Sequence, residues 1–204
     1  MIRVLIAEDH QIVRDGLKRI LASTTDIEVA GEATGGDEAL ALVKVNDYDV
    51  AMLDMSMPGL SGFDLIKRLK LEKPKLRILV LSMHGERQYA ARALKAGASG
   101  YLNKDSASDQ LVSALRKIAA GGVHIGEAAA ASLVSPSGGV HEALTDREFE
   151  VMRLLVEGLA PTDIAERLHL SIKTVSTHKT RILEKLNLGG TAELVRYALE
   201  NKLV

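Results

Sequence analysis

The sequence contains no cysteine and no tryptophan, and aromatic residues make up only 3% of it. Without cysteine, the chain cannot build a disulfide scaffold, a thiolate metal site or a cysteine nucleophile. Neither sign of charge is in excess, because 26 Lys and Arg stand against 27 Asp and Glu, for a formal net charge of -1. This balance excludes a uniformly basic coat for nucleic acid and a highly charged disordered chain, but it allows local charged patches.

Long hydrophobic runs are also missing. A membrane-spanning helix needs about 18 apolar residues without charge, and Asp, Lys or Gly interrupts every apolar run before that length. The first seven residues carry Arg3, and the chain reaches Glu8 and Asp9 before the apolar core of a signal peptide could form. We therefore expect a cytoplasmic protein with no membrane partner.

The 204 residues allow one or two domains, at about 150 residues per domain. Over the first ~120 residues, short apolar or β-branched runs alternate with segments whose apolar residues recur at helical spacing. The apolar runs are residues 4–7, 27–30, 50–53, 78–81 and 100–102. This alternation of strands and helices predicts an α/β domain with a parallel sheet covered by helices.

The composition changes between residues 122 and 142, where Gly, Ala and Ser dominate and residues 135–139 are Ser-Pro-Ser-Gly-Gly. Because such a stretch is typical of a flexible linker, we assign residues 1–121 to a first domain, 122–142 to a linker and 143–204 to a second domain. In the second domain, Thr145 and Glu148 have the spacing of a capping box at a helix start. Short helices are predicted there at residues 147–157, 162–168, 173–186 and 192–200.

Charged and hydroxyl side chains follow most of the predicted strands. Glu8 and Asp9 follow the first strand, Asp54 ends the third, Ser82 ends the fourth and Lys104 follows the fifth. The carboxyl ends of parallel strands share one edge of the sheet, where ligands bind at the point of strand-order reversal. Carboxylates gathered there repel one another unless a cation is bound, and oxygen ligands favour Mg²⁺ over zinc. With a lysine and a hydroxyl opposite, the set predicts phosphoryl transfer to Asp9 or Asp54.

Residues 1 to ~120 resemble the receiver domain of response regulators, a flavodoxin-like (βα)5 fold. The matching residues are Glu8, Asp9, Asp54, Met57-Pro58-Gly59, Gly62, Ser82, Tyr101 and Lys104. The resemblance implies that Asp54 accepts a phosphoryl group from a sensor histidine kinase or a small phosphodonor. It also implies that Mg²⁺ is held by Asp9, Asp54 and the backbone carbonyl of Ser56. Glu8 would act through the water shell of the metal.

The same resemblance implies a two-state switch in the receiver. Ser82 and Lys104 would bind the phosphoryl oxygens, and Tyr101 would turn inward as Ser82 moves towards the phosphate. A few charge-assisted hydrogen bonds would then set the balance between the two states.

Positive charge in the second domain is concentrated in residues 171–190, which contain one acid, Glu184. The cations are Lys173, Lys179, Arg181 and Lys185. On a helix over residues 173–186, the apolar positions share one face, and small hydroxyl residues lie on the exposed side. Hydroxyls and methyls of this kind reach base edges in the DNA major groove, while Lys and Arg meet phosphates. The short helix and tight turn that precede it complete a helix-turn-helix layout.

Residues from ~143 to the end resemble the C-terminal domain of NarL/FixJ (LuxR-type) regulators, which have a helix-turn-helix fold. The matching motifs are Leu144-Thr145-Asp146-Arg147-Glu148, Ile164-Ala165 with Leu168, and Lys173-Thr174-Val175-Ser176-Thr177-His178. The resemblance implies a transcription regulator that reads double-stranded promoter DNA through the helix at 173–186. Ser176, Thr177 and Thr180 would face bases. Backbone phosphates or the rim of the interface would be met by Lys173, Thr174, His178, Lys179 and Arg181.

The second domain leaves several alternatives open. His178 either contacts DNA or packs against the preceding helix. The last helix either forms a homodimer contact or belongs to the core of the domain, through Leu194, Val195, Tyr197 and Ala198. A dimer on two half-sites is the efficient arrangement for so small a unit, and RNA polymerase is a further candidate partner. Phosphorylation either frees the recognition helix from the receiver or favours a receiver dimer.

Two other functions fit parts of the pattern. Acids after strands are often helix caps or solvated loop residues, and the receiver would then be an unphosphorylated dimerisation module. The presence of the complete set of Glu8, Asp9, Asp54, Ser82 and Lys104 argues against that function. A Mg²⁺-dependent phosphohydrolase would carry a second acid two residues after the nucleophile, where Ser56 stands, and a cap domain over its substrate. We therefore expect a response regulator and not an enzyme.

Overall fold

A computed structural model of the protein describes residues 1–57, 59–60, 62–82, 87–104, 107–125, 140–201 and 203. The chain divides into two compact units, Met1–Ala131 and Ser132–Val204. Within the described ranges, no helix is long and apolar enough to cross a membrane.

One parallel sheet organises the described part of the first unit, with its five strands in the order β2-β1-β3-β4-β5. The strands are β1 (Ile2–Ala7), β2 (Ile27–Ala33), β3 (Val50–Asp54), β4 (Arg77–Ser82) and β5 (Gly100–Asn103). Every residue of β3 is buried, because helices cover both faces, and its sequence is therefore a continuous apolar run before Asp54. The strand order reverses between β1 and β3. The predicted α/β fold is confirmed.

The central strands end on polar residues of the candidate site, Asp54 in β3 and Ser82 in β4, as predicted. Asp54 pairs with Leu81, and Ser82 pairs with Asn103, in the last steps of the ladder. Since ladder pairing fixes the face to which a side chain points, Asp54 and Ser82 are held by the sheet and not by the following loops.

Helices cover the described sheet on both faces. They are α1 (Gln11–Ala22), α2 (Gly36–Val45), α3 (Gly62–Glu72), α4 (Arg87–Ala96) and α5 (Ala107–Ala119). Apolar residues of α1 and α5, among them Leu17 and Leu115, form one core cluster with strand residues such as Ile6 and Met52. The remaining helices contact one another in the order α2, α3, α4, and the rings of Phe63 and Tyr89 stack with centroids 5.6 Å apart.

The chain beyond α5 runs beside the edge strand β5. The His124 carbonyl accepts from the Tyr101 amide at 2.8 Å, and the His124 amide donates to the Ser99 carbonyl at 3.1 Å. A Cβ at Gly100 would lie 2.9 Å from the His124 oxygen, so glycine permits this close approach. His124, within the predicted linker, thus contacts the edge of the sheet, while residues 126–139 lie outside the described part. The predicted domain limits stay predictions.

The described part of the second unit is helical. A 3₁₀ turn (Val140–Ala143) precedes α6 (Asp146–Val156), α7 (Pro161–Arg167), α8 (Ile172–Leu186) and α9 (Thr191–Glu200), each within one residue of the predicted bounds. The capping box is present, since the Glu148 amide donates to Thr145 Oγ1 at 3.3 Å and the Thr145 amide donates to Glu148 Oε2 at 2.8 Å. Ser171 caps α8 by accepting from the Thr174 amide at 3.0 Å.

Thr145→Ala should lower the free energy of unfolding of the second unit by about 1 kcal/mol, because it removes the acceptor for a helix N-terminal amide. Hydrogen exchange at the amides of α6 measures the loss in the full chain. Thr177→Ala is the matched control, since the Thr177 hydroxyl only donates to the Lys173 carbonyl inside α8, at 2.9 Å. Equal losses in the two variants would contradict a capping role for Thr145.

Candidate functional site

The carboxyl ends of the strands bring the predicted acidic residues together around one lysine. Lys104 Nζ lies 2.6 Å from Glu8 Oε2 and 3.2 Å from Asp54 Oδ1. Glu8 and Asp54 are only 1% and 3% exposed, while the Asp9 side chain is 29% exposed. The Lys104 amine therefore compensates both buried carboxylates at once.

Two carboxylate oxygens of this cluster lack a hydrogen bond. Asp54 Oδ2 and Asp9 Oδ1 are buried and have no hydrogen-bond partner among the described residues. Asp9 Oδ1 does lie 3.0 Å from His10 Nδ1, but outside hydrogen-bonding geometry. Leaving a buried charged oxygen without a partner is costly, so these two oxygens favour a bound cation.

The donor set suits a hard cation. One ligand atom from each of Glu8, Asp9, His10 and Asp54 lies within 4.8 Å of all the others. Carboxylate oxygens are the side-chain ligands that Mg²⁺ prefers. The acidic residues present therefore fit the predicted Mg²⁺ site.

His10 is the member of this cluster that sequence reasoning missed. Its amide donates to Glu8 Oε1 at 3.1 Å, and its ring Nδ1 lies 3.0 Å from the same oxygen. The hydrogen bond to Glu8, and then the charge of Asp9, raise the pKa of His10 above its ordinary value. The sequence did indicate His10, because it directly follows Glu8 and Asp9. Considering only residues at strand ends leaves it out.

The pKa of the Asp54 carboxyl is raised above its ordinary value of 3.8, mainly by burial. The charge of Lys104 opposes this rise, and the charge of Glu8 adds to it. Lys104 thus favours the charged carboxylate form of Asp54, and Glu8 favours the protonated form.

The remaining receiver residues lie on neighbouring strands. Ser82, at the end of β4, is 2% exposed, and Tyr101 in β5 is 5% exposed, so both side chains are buried. The backbone of Ser56, just beyond β3, hydrogen-bonds to Asp54 and lowers its pKa. Pro58 of the predicted motif lies outside the described residues. Ser82 and Tyr101 thus lie on strands that end near the acidic cluster, and Ser56 lies just beyond another such strand.

The predicted DNA-facing residues follow α8 on its outer side. Val175, Ile182 and Leu186 are buried, as the helical spacing predicts. The exposed members are Lys173, Ser176, Thr177, Thr180 and Arg181, and the half-buried members are Thr174, His178 and Lys179.

Two of the outer hydroxyl groups already donate to the helix backbone. Thr177 Oγ1 donates to the Lys173 carbonyl at 2.9 Å, and Thr180 Oγ1 donates to the Ser176 carbonyl at 3.1 Å. Since each hydroxyl has only one proton, these side chains have only their methyl groups and acceptor lone pairs left for contacts outside the helix.

Other predicted groups of the second unit face inward. The ring Nδ1 of His178 is buried without a hydrogen-bond partner among the described residues, and burial lowers the pKa of this histidine. These facts favour the packing alternative for His178. In α9, Leu194 and Ala198 are fully buried, which places both in the core of the unit, while Leu199 is 62% exposed.

Lys185 differs from the other cations of α8. Its Nζ lies 2.6 Å from Glu148 Oε2 and 3.2 Å from the Ala143 carbonyl oxygen. Glu148 is 3% exposed and also belongs to the capping box of α6. Lys185 therefore joins α8 to α6, a long-range contact that charge counting along the sequence does not detect.

Lys104→Met should destabilise the metal-free first unit by roughly 3 kcal/mol at neutral pH, because it removes the amine that contacts two buried carboxylates. Without Lys104 the pKa of Asp54 rises further, so the folded state binds its proton at higher pH than the unfolded state does. The stability lost by the variant is therefore greatest above the pKa of Asp54 in its folded state. The loss becomes smaller as the pH falls from there towards the ordinary value of 3.8. Urea unfolding in EDTA across this pH range measures it.

Lys73→Met is the matched control for that measurement. Lys73 Nζ lies 2.7 Å from Asp47 Oδ1, but the two side chains are 37% and 92% exposed. An exposed pair contributes about 0–1 kcal/mol, so the control should lose little stability at any pH. A Lys104→Met variant that behaved like this control would contradict the compensating role of Lys104.

Comparison with known proteins agrees with this geometry. The family model described as response regulator receiver domain matches residues 4–116, and that of the luxR family of bacterial regulatory proteins matches residues 142–198. Response regulator UvrY of Escherichia coli (strain K12) is 35% identical over 209 residues, which cover 100% of this chain and 96% of UvrY. Oxygen regulatory protein NreC of Staphylococcus epidermidis is 38% identical over 215 residues, which cover 99% of each chain.

Solved structures show the same likeness over both units. A structure of the RcsB response regulator from Salmonella typhimurium superimposes with a TM-score of 0.77 at 32% identity, covering 96% of each chain. A complex of the two-component response regulator RcsB with DNA has a TM-score of 0.62 at 31% identity, again over 96% of each chain. The present chain belongs to the two-component response regulators that join a receiver domain to a luxR-type DNA-binding domain, a family of transcription regulators and not of enzymes.

Proposed function

We propose that phosphorylation of Asp54 switches this transcription regulator between a resting state and a state that binds promoter DNA. The observation that carries the proposal is the Asp54 carboxylate at the end of β3. One of its oxygens lies 3.2 Å from Lys104 Nζ, and the other is buried without a hydrogen-bond partner among the described residues. An acceptor oxygen beside a buried cation suits the transfer of a negatively charged phosphoryl group.

The residues around Asp54 support this chemistry. Asp9, Asp54 and the backbone carbonyl of Ser56 would hold Mg²⁺, with Glu8 acting through water. When bound, the ion neutralises charge on the phosphoryl oxygens. An Asp54 carboxylate oxygen forms a bond to phosphorus while the bond between phosphorus and the donor breaks, and the donor keeps that electron pair. Lys104 then binds a phosphoryl oxygen in place of a carboxylate.

The switch follows from the change in charge at Asp54. The phosphoryl group adds acceptor oxygens at a point where Lys104 is the nearby cation, so Ser82 is drawn in as a hydroxyl donor. Tyr101 lies on β5, beside β4, and adjusts its buried ring as Ser82 moves. The phosphoryl donor is a sensor histidine kinase, and the regulator acts in the cytoplasm.

DNA recognition is assigned to α8. Lys173, Lys179 and Arg181 meet phosphates, and the outer hydroxyl residues Ser176, Thr177 and Thr180 approach base edges. Thr174 lies at the rim, while His178 contributes mainly by packing. The active form is a homodimer on two half-sites, which agrees with the solved arrangement described as two RcsB dimers bound to two parallel DNAs. RNA polymerase is the further partner of the bound dimer.

The phosphorylation switch is tested by DNA binding at one stated salt concentration, with and without Mg²⁺ and beryllofluoride. Affinity of the wild-type chain for a panel of promoter fragments should rise when both are added, because the mimic occupies the phosphoryl position. Asp54→Ala should show no rise. Asp47→Asn, which removes an exposed acid, should respond like the wild type. Equal affinity of wild type and Asp54→Ala in every condition would contradict the switch.

The role of α8 is tested by the salt dependence of DNA binding. Lys179→Ala should weaken binding on all sequences and reduce the slope of log affinity against log salt by about 1, because one phosphate contact is lost. Lys185→Ala carries the same charge change, but its amine is bound to Glu148, so it should lower stability and leave the slope unchanged. Equal slopes for the two variants would contradict this assignment.

A further inference from the structure

The loop that carries Glu8 and Asp9 is held from α1 by Arg14. The Arg14 guanidinium donates to the Glu8 carbonyl at 2.7 Å, and its Nε lies 3.3 Å from Glu32 Oε2. The Glu8 amide donates to the Ala33 carbonyl at 3.0 Å. Both backbone polar groups of Glu8 are therefore fixed, one by β2 and the other by Arg14.

The Arg14 side chain is well placed for this task. It is only 14% exposed, and its amide donates to the His10 carbonyl at 3.0 Å. The planar guanidinium reaches an acceptor on β2 and one on the acidic loop at once, which an amine cannot do with the same geometry. Arg14 thus contacts the chain on both sides of Asp9.

Among the described residues, Asp9 Oδ1 has no hydrogen-bond partner, and its near neighbour is His10 Nδ1 at 3.0 Å, outside hydrogen-bonding geometry. His10 Nδ1 is itself 3.0 Å from Glu8 Oε1, and the Asp9 side chain is partly exposed. The direction of the Asp9 carboxylate therefore depends on the backbone before it, which Arg14 fixes at Glu8.

We infer that Arg14 is a positioning residue for the Mg²⁺ site, acting through the Glu8 carbonyl to aim the carboxylate of Asp9. The inference rests on the proposed function, in which Asp9 is a ligand of the ion. Arg14 does not touch the ion or the phosphoryl group.

The charge of Arg14 and its contact with the Glu8 carbonyl should change Mg²⁺ affinity in opposite directions. Whether affinity falls or rises when Arg14 is replaced therefore shows which of the two matters. The positive charge of Arg14 repels a divalent cation, and loss of that charge alone would tighten Mg²⁺ binding. Loss of the contact with the Glu8 carbonyl would weaken binding, because it releases the loop that carries Asp9. Groups that orient metal ligands contribute about 10–100-fold in metal affinity.

The test measures Mg²⁺ affinity of the full chain by isothermal titration calorimetry. Arg14→Met should weaken binding by about 10–100-fold. Arg14→Lys keeps the positive charge but loses the planar guanidinium that reaches two acceptors at once, so it should weaken Mg²⁺ binding by a smaller factor. Amide hydrogen exchange at Asp9 and His10 should become faster in both variants, and thermal unfolding checks that each variant is folded.

Lys18→Met is the matched control. Lys18 lies one turn further along α1 and contacts the same Glu32, at 3.0 Å, together with Asp15, at 2.9 Å. It carries the same charge as Arg14, but its ion pairs are with Asp15 and Glu32 and not with Glu8, so its loss should leave Mg²⁺ affinity unchanged or slightly higher.

The outcomes are distinct. Weaker binding in Arg14→Met and Arg14→Lys, but not in Lys18→Met, supports the inference. Unchanged or tighter binding in Arg14→Met overturns it, and if that variant does not fold, unchanged affinity in Arg14→Lys overturns it instead. A wild-type chain that binds no Mg²⁺ overturns the proposed metal site itself, and the inference with it.

Discussion

Repulsion between buried carboxylates at the carboxyl edge of the sheet is the constraint on which the rest of the receiver depends. Ligand atoms of Glu8 and Asp54 lie within 4.8 Å of each other, where two like charges repel by roughly 3 kcal/mol at an effective dielectric constant near 20. Lys104, the residue after β5, offsets this repulsion, although β3 and β4 lie between β5 and β1 in the sheet. Because its amine contacts both acids, any new negative group at Asp54 changes the partners of Lys104 and so reaches Glu8. A local charge change at one strand end therefore acts across the whole edge.

The strand ends were predictable because periodicity locates strands, and parallel strands share a carboxyl edge. The positions of Asp54 and Ser82 follow from that rule alone. The roles of His10 and Arg14 do not, because they depend on how the chain turns after β1 and on which side chains of α1 fold back towards it. A resemblance to a family assigns roles only to the residues that match its motifs. Neither His10 nor Arg14 was among the matching residues. Even Lys104, correctly placed, is bound to Glu8 in this structure, a partner that spacing does not reveal.

In the second unit, helix bounds and the capping box were predictable from local sequence, since caps depend on residues a few positions apart. The different roles of the cations of α8 were not predictable from local sequence. Lys179 and Lys185 are equivalent in a count of charges, yet Lys185 is bound to Glu148 on α6. Glu148 caps α6 and pairs with α8 through the same carboxylate, so one buried acid sets both the start of α6 and its contact with the basic helix. Tertiary contacts of this kind determine which charges remain available to DNA.

In the proposed interface, the outer face of α8 makes DNA recognition depend on assembly of two copies. Thr177 and Thr180 use their hydroxyl protons within the helix, so in the proposed interface they would distinguish bases mainly through methyl contacts and acceptor oxygens. Such contacts discriminate less than a bidentate Arg or Asn pair, and phosphate contacts carry no sequence information. Most of the specificity must then come from the spacing of two half-sites, which only a dimer can read. A switch that changes how receivers pair would therefore control sequence recognition without altering any residue of the recognition helix.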